Sequence, residues 1–185
     1  MKKNLLSLLP LLCAAFAVKA QVEATTYRGA FAPAPVRMWT ESWTNWNPNA
    51  TPYPSTTVTV SGTITTNTTW TSNNVYLLSG LVYVDSLVTL TIEPGTIIRG
   101  DFAIRNSSLI VERGGKLIAE GTQCNPIVFT SNQGVNNRLP GDWGGVLILG
   151  KARHNAGTNN LIEGLSAANI ENYHGGLDDN DNSGS

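Results

Sequence analysis

Short runs in which apolar and hydroxyl side chains alternate with a period of two recur between about residues 58 and 150. Clear examples are Thr57–Val60, Val82–Val84 and Thr89–Ile92. Such alternation is typical of half-buried strands, because successive side chains of a strand point to opposite faces. Turns that contain Gly separate the runs at intervals of about fifteen to twenty residues. The pattern therefore predicts many short strands joined by tight corners.

Two segments of this zone are clear internal copies. Leu90–Ile98 and Leu109–Ile118 each contain a strand, a Glu, a tight turn and a second strand, and they start nineteen residues apart. A period near twenty with one strand pair per repeat predicts an all-β parallel solenoid, whose inward Ile, Leu and Val side chains form a continuous core. A β-sandwich is the alternative, because it also contains short strands at regular spacing.

The composition supports a β-protein whose faces are polar but carry little charge. Only 14% of the residues are charged and 41% are hydrophobic, while the chain has 20 Thr, 19 Asn and 18 Gly. This excludes a disordered acidic or basic tail, a basic nucleic-acid surface and a helical bundle. Outward Thr and Asn on stacked coils account for the low charge.

The first twenty residues are predicted to form a secretory signal peptide. Lys2 and Lys3 precede an apolar run, Leu5–Val18, and small residues lead to cleavage after Ala20. The run is shorter than the roughly 20 residues that span a bilayer as a helix, and no other run reaches that length. Removal of the signal leaves nine basic and thirteen acidic residues, a net charge of −4. We expect an exported protein at the cell surface, outside the cell or in the periplasm.

Cysteine usage agrees with export but offers no disulfide. A lipoprotein acylated on Cys13 is the weaker alternative, because the preceding Leu12 is not the small residue that such signals need. Cleavage after Ala20 leaves Cys124 alone, so no internal disulfide can form. Its uncharged neighbours do not stabilise a thiolate, and we expect a buried, inert side chain.

Three zones follow the signal peptide. Residues 21–56 are rich in Pro, Thr and Asn and form a leader that serves as an N-terminal cap. Residues 57–150 form the coils, and residues 151–185 are a loop-rich segment. Because a solenoid normally finishes in a capping element and this segment is all turn chemistry, we expect it to continue in a longer protein.

Three tryptophans of the leader are candidate carbohydrate-stacking residues. The spacing of Trp39, Trp43 and Trp46 places them on one side of a short helix. They either stack on sugar rings or cover the open apolar end of the coils, and a repeat stack needs such a cover.

Four stretches carry a resemblance to a known family. They are Trp43–Pro48, Leu90–Asp101, Leu109–Ser131 and Gly141–Gly145. They are similar to exported, uncharacterised right-handed parallel β-helix surface proteins of Gram-negative bacteria, many of which carry type IX secretion sorting tails. The segment Gly175–Gly184 is similar to the next loop of that family, after which further coils normally follow. The resemblance implies a fold and an exported location, but no activity and no catalytic residues.

Asp179, Asp181 and Ser183 fit the opening of a calcium loop. Oxygen side chains stand at alternate positions and Gly184 follows for the sharp turn, while Ser185 could add a backbone carbonyl. A closing Glu would have to follow Ser185. An ordinary Asp/Asn/Gly loop is the alternative. We expect any bound Ca²⁺ to order the loop rather than to catalyse.

The remaining candidates define two possible functions. Glu93 and Glu112 occupy matching places in the two copies, and stacking would place them about 5 Å apart, as in retaining glycosidases. His154 and His174 have no partners that indicate a triad or a zinc site, and loop histidines are expected. We predict a monomeric structural or binding scaffold whose partner is a glycan or a surface protein, with no nucleic acid, no catalysis and no certain cofactor. The alternative is a polysaccharide-degrading β-helix enzyme, a lyase or glycoside hydrolase.

Overall fold

The computed structural model describes residues 40–41 and 44–184. The predicted signal peptide, most of the leader, Trp39, Trp43 and Ser185 lie outside the described residues. Two short 3-10 helices occur at Pro48–Ala50 and Ile170–Asn172. The strands, in chain order, are β1 (Val58–Ile64), β2 (Thr68–Trp70), β3 (Val75–Val84), β4 (Thr89–Ile92), β5 (Ile97–Gly100), β6 (Ser108–Val111), β7 (Lys116–Ile118), β8 (Val128–Ser131), β9 (Gly145–Ile148), β10 (Asn160–Leu161) and β11 (Tyr173–His174).

The first nine strands form three parallel faces. Sheet 1 consists of the first halves of β1 and β3 with β5 and β8, and sheet 2 of their second halves with β6 and β9. The chain bends between these sheets at Gly62 and Gly80, whose φ angles of 71° and 81° favour glycine. Sheet 3 consists of β2, β4 and β7. The chain thus visits sheets 1, 2 and 3 in turn, and the predicted parallel β-helix is confirmed. The β-sandwich alternative is wrong, because every pairing among β1–β9 is parallel.

Inward side chains of successive coils form one apolar column. They are Leu78, Val82, Val84, Leu90, Ile92, Ile98, Leu109, Val111 and Leu117. Burial of each such side chain contributes about 1.5–3 kcal/mol. Trp70 and Tyr76 stack at a corner of the core with ring centroids 4.8 Å apart, and the Tyr76 hydroxyl accepts the Thr71 N–H at 2.9 Å. The column explains why the alternation of apolar residues is so regular.

The number of residues per coil is not constant near twenty. Tyr76 pairs with Ile98, 22 positions later, and Ile98 pairs with Phe129, 31 positions later. Five of the nine extra residues lie between sheets 1 and 2, in the loop after β5, and four lie between sheets 3 and 1, in the turn after β7. The two internal copies are consequently not stacked on one another, since Leu90 pairs with Leu117 rather than with Leu109.

The described part of the leader lies against the outer face of sheet 1. Arg99 of β5 donates from Nη1 to the backbone carbonyl of Pro54 at 3.1 Å. Arg138 donates from Nη1 to the carbonyl of Thr51 at 2.8 Å and lies over the ring of Tyr53 at 4.8 Å from its centroid. These two guanidinium groups hold the described part of the leader to the coils.

Residues 150–183, which we call the strap, cover the outer face of sheet 2. Tyr83, Ile110 and Leu149 form a second, smaller apolar cluster there, and Ile162 and Leu165 of the strap pack against it. β10 and β11 pair with each other as an antiparallel ribbon within the strap. Sheet 2 is therefore buried on both faces along part of its length.

Sheet 3 keeps an open outer face among the described residues. Thr69, Thr91 and Ile118 form one outward row across its three strands, and Thr89 and Lys116 form a second. No helix in residues 40–41 and 44–184 is long and apolar enough to cross a bilayer.

Cys124 is exposed, and the expectation of a buried thiol is wrong. The residue lies in the turn between β7 and β8, where residues 121–126 are all exposed. A lack of charged neighbours does not bury a side chain, because a turn places its residues in solvent.

Candidate functional site

Two carboxylates stack at the corner between sheets 2 and 3. Val84 pairs with Val111 in consecutive coils, so Asp85 and Glu112, which follow them, occupy equivalent positions. The Glu112 N–H donates to the Val84 carbonyl at 3.0 Å, and this bond fixes the corner backbone. Neighbouring strands of a sheet are about 4.8 Å apart, so this register brings two like charges close together.

A third carboxylate approaches this corner from the strap. Glu171 lies in the 3-10 helix of the strap, beside the buried Asn172. Burial, then the charge of Asp85, then that of Glu171 raise the pKa of Glu112 to about 7. A carboxyl group of this kind is part protonated near neutral pH, which is the property that a general acid needs.

Tyr83 and Asn172 form the polar contact between sheet 2 and the strap. The Tyr83 hydroxyl donates to Asn172 Oδ1 at 2.9 Å, and Asn172 Nδ2 donates to the Ser166 carbonyl at 2.9 Å. Burial is the main cause that raises the pKa of Tyr83, and the charges of Glu171 and Glu112 add to it. The hydroxyl therefore stays a donor at neutral pH.

An open groove lies beside Arg113, the residue after Glu112, and two cationic side chains, Arg113 and Lys151, line it. The groove has a volume of about 580 Å³. Its lining residues are Arg113, Lys151, Gly175, Gly176, Leu177 and Asp178. Arg113 Nη1 donates to Asn159 Oδ1 at 2.9 Å and to the Gly175 carbonyl at 3.2 Å. The corner thus combines a carboxyl group whose pKa is raised with nearby cations, an arrangement able to bind polar or anionic groups.

The predicted stacking of Glu93 on Glu112 is wrong. Glu93 follows β4 at the corner between sheets 3 and 1, and its Oε2 accepts the Ser72 N–H of the preceding coil at 3.2 Å. Glu112 follows β6 at a different corner. A stacked carboxylate pair does exist, but the partner of Glu112 is Asp85, a residue that the assumed period of nineteen overlooked. The 27-residue spacing from Val84-Asp85 to Val111-Glu112 is the sequence signal that identifies it.

The predicted calcium ligands already accept hydrogen bonds or form an ion pair within the protein. Asp181 Oδ2 accepts the Lys151 N–H at 2.8 Å and the Ser183 hydroxyl at 2.7 Å, while Oδ1 accepts the Ser183 N–H at 3.1 Å. The hydrogen bond from Ser183 is the main cause that lowers the pKa of Asp181. Asp179 pairs with Arg153 at 3.3 Å. These oxygens serve donors of the protein itself, and calcium binding stays a prediction.

These bonds predict that calcium removal leaves the fold unchanged. We expect the melting temperature of the chain to shift by less than about 1 °C when EGTA replaces 1 mM CaCl₂, because three donors of the protein already occupy Asp181. Differential scanning calorimetry measures this. A larger shift that MgCl₂ does not reproduce would support the predicted calcium loop.

The other candidate residues do not join this corner in the described structure. Trp46 is 63% exposed, and Trp39 and Trp43 lie outside the described residues, so the predicted stacking surface stays a prediction. His154 and His174 stack on each other with ring centroids 4.9 Å apart. In the described part of the chain, no three His, Cys, Asp or Glu side chains gather to hold a metal ion.

Comparison with known proteins places the chain in a family. No curated protein and no solved structure matches it. A family model described as a pectate-lyase-like β-helix domain matches residues 62–185, which is more than half of the chain. The match agrees with the three parallel sheets. The chain therefore belongs to the pectate-lyase-like β-helix domain family.

Proposed function

We propose that the chain is an exported scaffold, at the cell surface or secreted, that binds a glycan and has no catalytic activity. Its predicted signal peptide and its resemblance to surface proteins of Gram-negative bacteria support export. The β-helix supports a scaffold role, because stacked coils form a rigid column whose outer faces are regular.

The outer face of sheet 3 is the observation that carries the proposal. The described part of the leader and the strap cover parts of sheets 1 and 2, whereas the rows Thr69–Thr91–Ile118 and Thr89–Lys116 face outward. The hydroxyl groups of Thr69 and Thr91, on strands about 4.8 Å apart, and the hydroxyl group of Thr89 offer donors and acceptors on a surface whose two rows contain one charged residue. Such a surface suits the hydroxyl groups of a polysaccharide chain.

Carboxylates placed on this face are expected to weaken glycan binding. The double variant Thr69→Asp, Thr91→Asp puts two like charges on neighbouring strands, where they repel each other and displace the sugar hydroxyls. We expect at least a tenfold weaker association. Affinity electrophoresis in gels that contain polygalacturonate, xylan or β-glucan measures it.

The matched control is Thr63→Asp, which adds a carboxylate to an exposed position of β1 on sheet 2. It should bind like the wild type. If none of the three polysaccharides retards the wild-type chain, or if the control loses as much binding as the double variant, the proposal for sheet 3 fails.

The edge of sheet 2 at β9 is open among the described residues. Val146 and Ile148 of β9 are 37% and 46% exposed, although they pair with the fully buried Leu109 and Val111. They face the core, and no strand among the described residues stacks on their outer side.

A polysaccharide-degrading enzyme is the second candidate, and the Glu112 corner favours it. Glu112, whose pKa is raised to about 7, lies beside the Asp85 carboxylate and near the cationic groove. In this alternative Glu112 delivers a proton and Asp85 provides the second carboxylate. Incubation of the same polysaccharides with the chain, followed by a reducing-end assay, distinguishes the two functions. Product that forms with the wild type and not with Glu112→Gln would replace the scaffold by the enzyme.

A further inference from the structure

Hydrogen bonds join the beginning of the strap to its end, so that the residues between them form a closed loop. Its two ends are bonded together: the Gly175 N–H donates to the Gly150 carbonyl at 2.9 Å, and the Gly176 N–H to the Ala152 carbonyl at 3.2 Å. The Lys151 N–H to Asp181 Oδ2 bond, at 2.8 Å, adds a third link. Residues 154–174, which we call the head, therefore begin and end at the same place.

The head satisfies its own polar groups. Asn160 pairs with His174 and Leu161 with Tyr173. The Ile162 N–H donates to the Asn172 carbonyl at 3.0 Å, and the Tyr173 hydroxyl donates to the Ala167 carbonyl at 3.1 Å. These bonds do not involve the coils, so they persist when the head moves as a unit.

Few contacts seat the head on sheet 2. The apolar ones join Ile162 and Leu165 to the cluster of Tyr83, Ile110 and Leu149. The polar ones include the hydrogen bonds of Tyr83 with Asn172 and Asn169 and the bond from Arg113 to Asn159. A segment that pairs its own polar groups, has its two ends bonded together and makes few contacts with the rest of the fold has the geometry of a lid.

The contact between the head and sheet 2, which we call the seat, also brings carboxylates of like charge together. Glu171 of the head faces Glu112 of the β6–β7 corner, and Asp85 of the β3–β4 corner lies beside Glu112. Tyr83 faces the same point from β3. Two cations also lie in this region: Arg113 donates to Asn159 and Gly175, and Lys151 lies against Gly114 and interacts with Asp181. Burial and the charges of Asp85 and Glu171 nevertheless raise the pKa of Glu112, and neither cation lowers it.

We propose that the head is a pH-dependent lid, which is seated on sheet 2 in acid and loosens as the pH rises to neutrality. In acid Glu112 is uncharged and the seat contains fewer like charges. As Glu112 ionises, it repels Glu171, and lifting of the head relieves this repulsion. Lifting uncovers Tyr83 and Ile110 and frees Arg113 from Asn159.

The direction of the effect follows from the pKa of Glu112. This pKa is about 7 in the seated state and returns toward its ordinary value of 4.5 when the head lifts. The contribution to seating is therefore complete below about pH 4.5 and is lost as the pH rises through about 7. Above about pH 8 no further change is expected, because the carboxyl group is then ionised in both states.

Hydrogen exchange at pH 5 and pH 8 tests the lid. We expect the protection factors of residues 154–174, corrected for the intrinsic dependence of exchange on pH, to fall about tenfold more than those of β6. Glu112→Gln should remove this dependence on pH. Glu163→Gln, a change at an exposed position of the head, is the matched control and should keep it.

A second variant separates the lid from a general loss of structure. Glu171→Gln alters only the carboxyl group on the head and should reduce the dependence on pH without a change in β6. The lid is disproved if Glu112→Gln and Glu171→Gln both respond to pH like the wild type. It is also disproved if the head and β6 lose protection together, because the whole domain then unfolds.

Discussion

Replacement of Arg99 by Met is expected to lower the free energy of unfolding by about 3 kcal/mol. The side chain is only 8% exposed. Its guanidinium group donates to the backbone carbonyls of Pro54, Ser131, Asn132 and Gln133 at 3.0–3.4 Å. Met fills the volume of the aliphatic stem but donates nothing, so carbonyl groups that are shielded from water lose their partner.

The loss should be confined to the junction between the leader and the coils. Pro54 belongs to the leader, whereas the other three carbonyls belong to the end of β8 and the loop after it, so Arg99 is one link between these segments, beside Arg138. Urea unfolding measures the stability, and limited proteolysis reports release of residues 44–57. Arg99→Lys should cost less than Met but more than half as much, because one ammonium group cannot reach four acceptors.

Arg105→Met is the matched control for this prediction. Arg105 is an exposed arginine in the loop between β5 and β6, and its replacement should change stability by less than about 0.5 kcal/mol. Equal losses for Arg99 and Arg105 would contradict the role assigned to the four carbonyl bonds.

The sequence predicts the fold because the core repeats while the loops do not. Most inward positions of the coils are Ile, Leu, Val or aromatic residues, so alternation is visible in strands such as β1 and β4. The length of each coil is not encoded in that alternation. The loop between sheets 1 and 2 lengthens from Ser79-Gly80 in the second coil to residues 132–144 in the fourth, and no hydrophobic pattern marks this change.

The same uncertainty in the period explains the error at the candidate site. A stack of carboxylates could be predicted in kind, since an acid follows a strand in two successive coils. Its members could not, because an assumed period of nineteen aligns Glu112 with Glu93 and a register of 27 aligns it with Asp85. Glu171 could not be found at all, since only the folded strap brings residue 171 to that corner.

Arg99 illustrates a contact that no local pattern predicts. In the sequence it follows Ile97-Ile98 at an outward position of a strand, where a charged residue normally meets water. The leader and the loop after β8 enclose it, and both are distant in the chain. Outward positions of a solenoid are therefore predictable as outward, but not as exposed.

At the corner that contains Glu112, Gly115 packs closely against the backbone of the preceding coil. A Cβ atom on Gly115 would lie 2.9 Å from the carbonyl oxygens of both Val84 and Asp85, and 3.2 Å from that of Glu112. All three are backbone atoms and cannot rotate away. Gly115→Ala must push the two coils apart at the corner, and we expect a loss of about 3 kcal/mol in the free energy of unfolding.

Gly150→Ala provides the control that separates crowding from the general effect of Gly to Ala. Nothing lies within 4 Å of a Cβ atom built on Gly150, and its backbone conformation is one that alanine adopts. This change should leave stability unaltered or raise it by about 0.5 kcal/mol, because it reduces the entropy of the unfolded chain. Urea unfolding of both variants makes the comparison. If Gly115→Ala proves as stable as Gly150→Ala, the rungs separate there without cost, and the close stacking that brings Asp85 and Glu112 together loses its support.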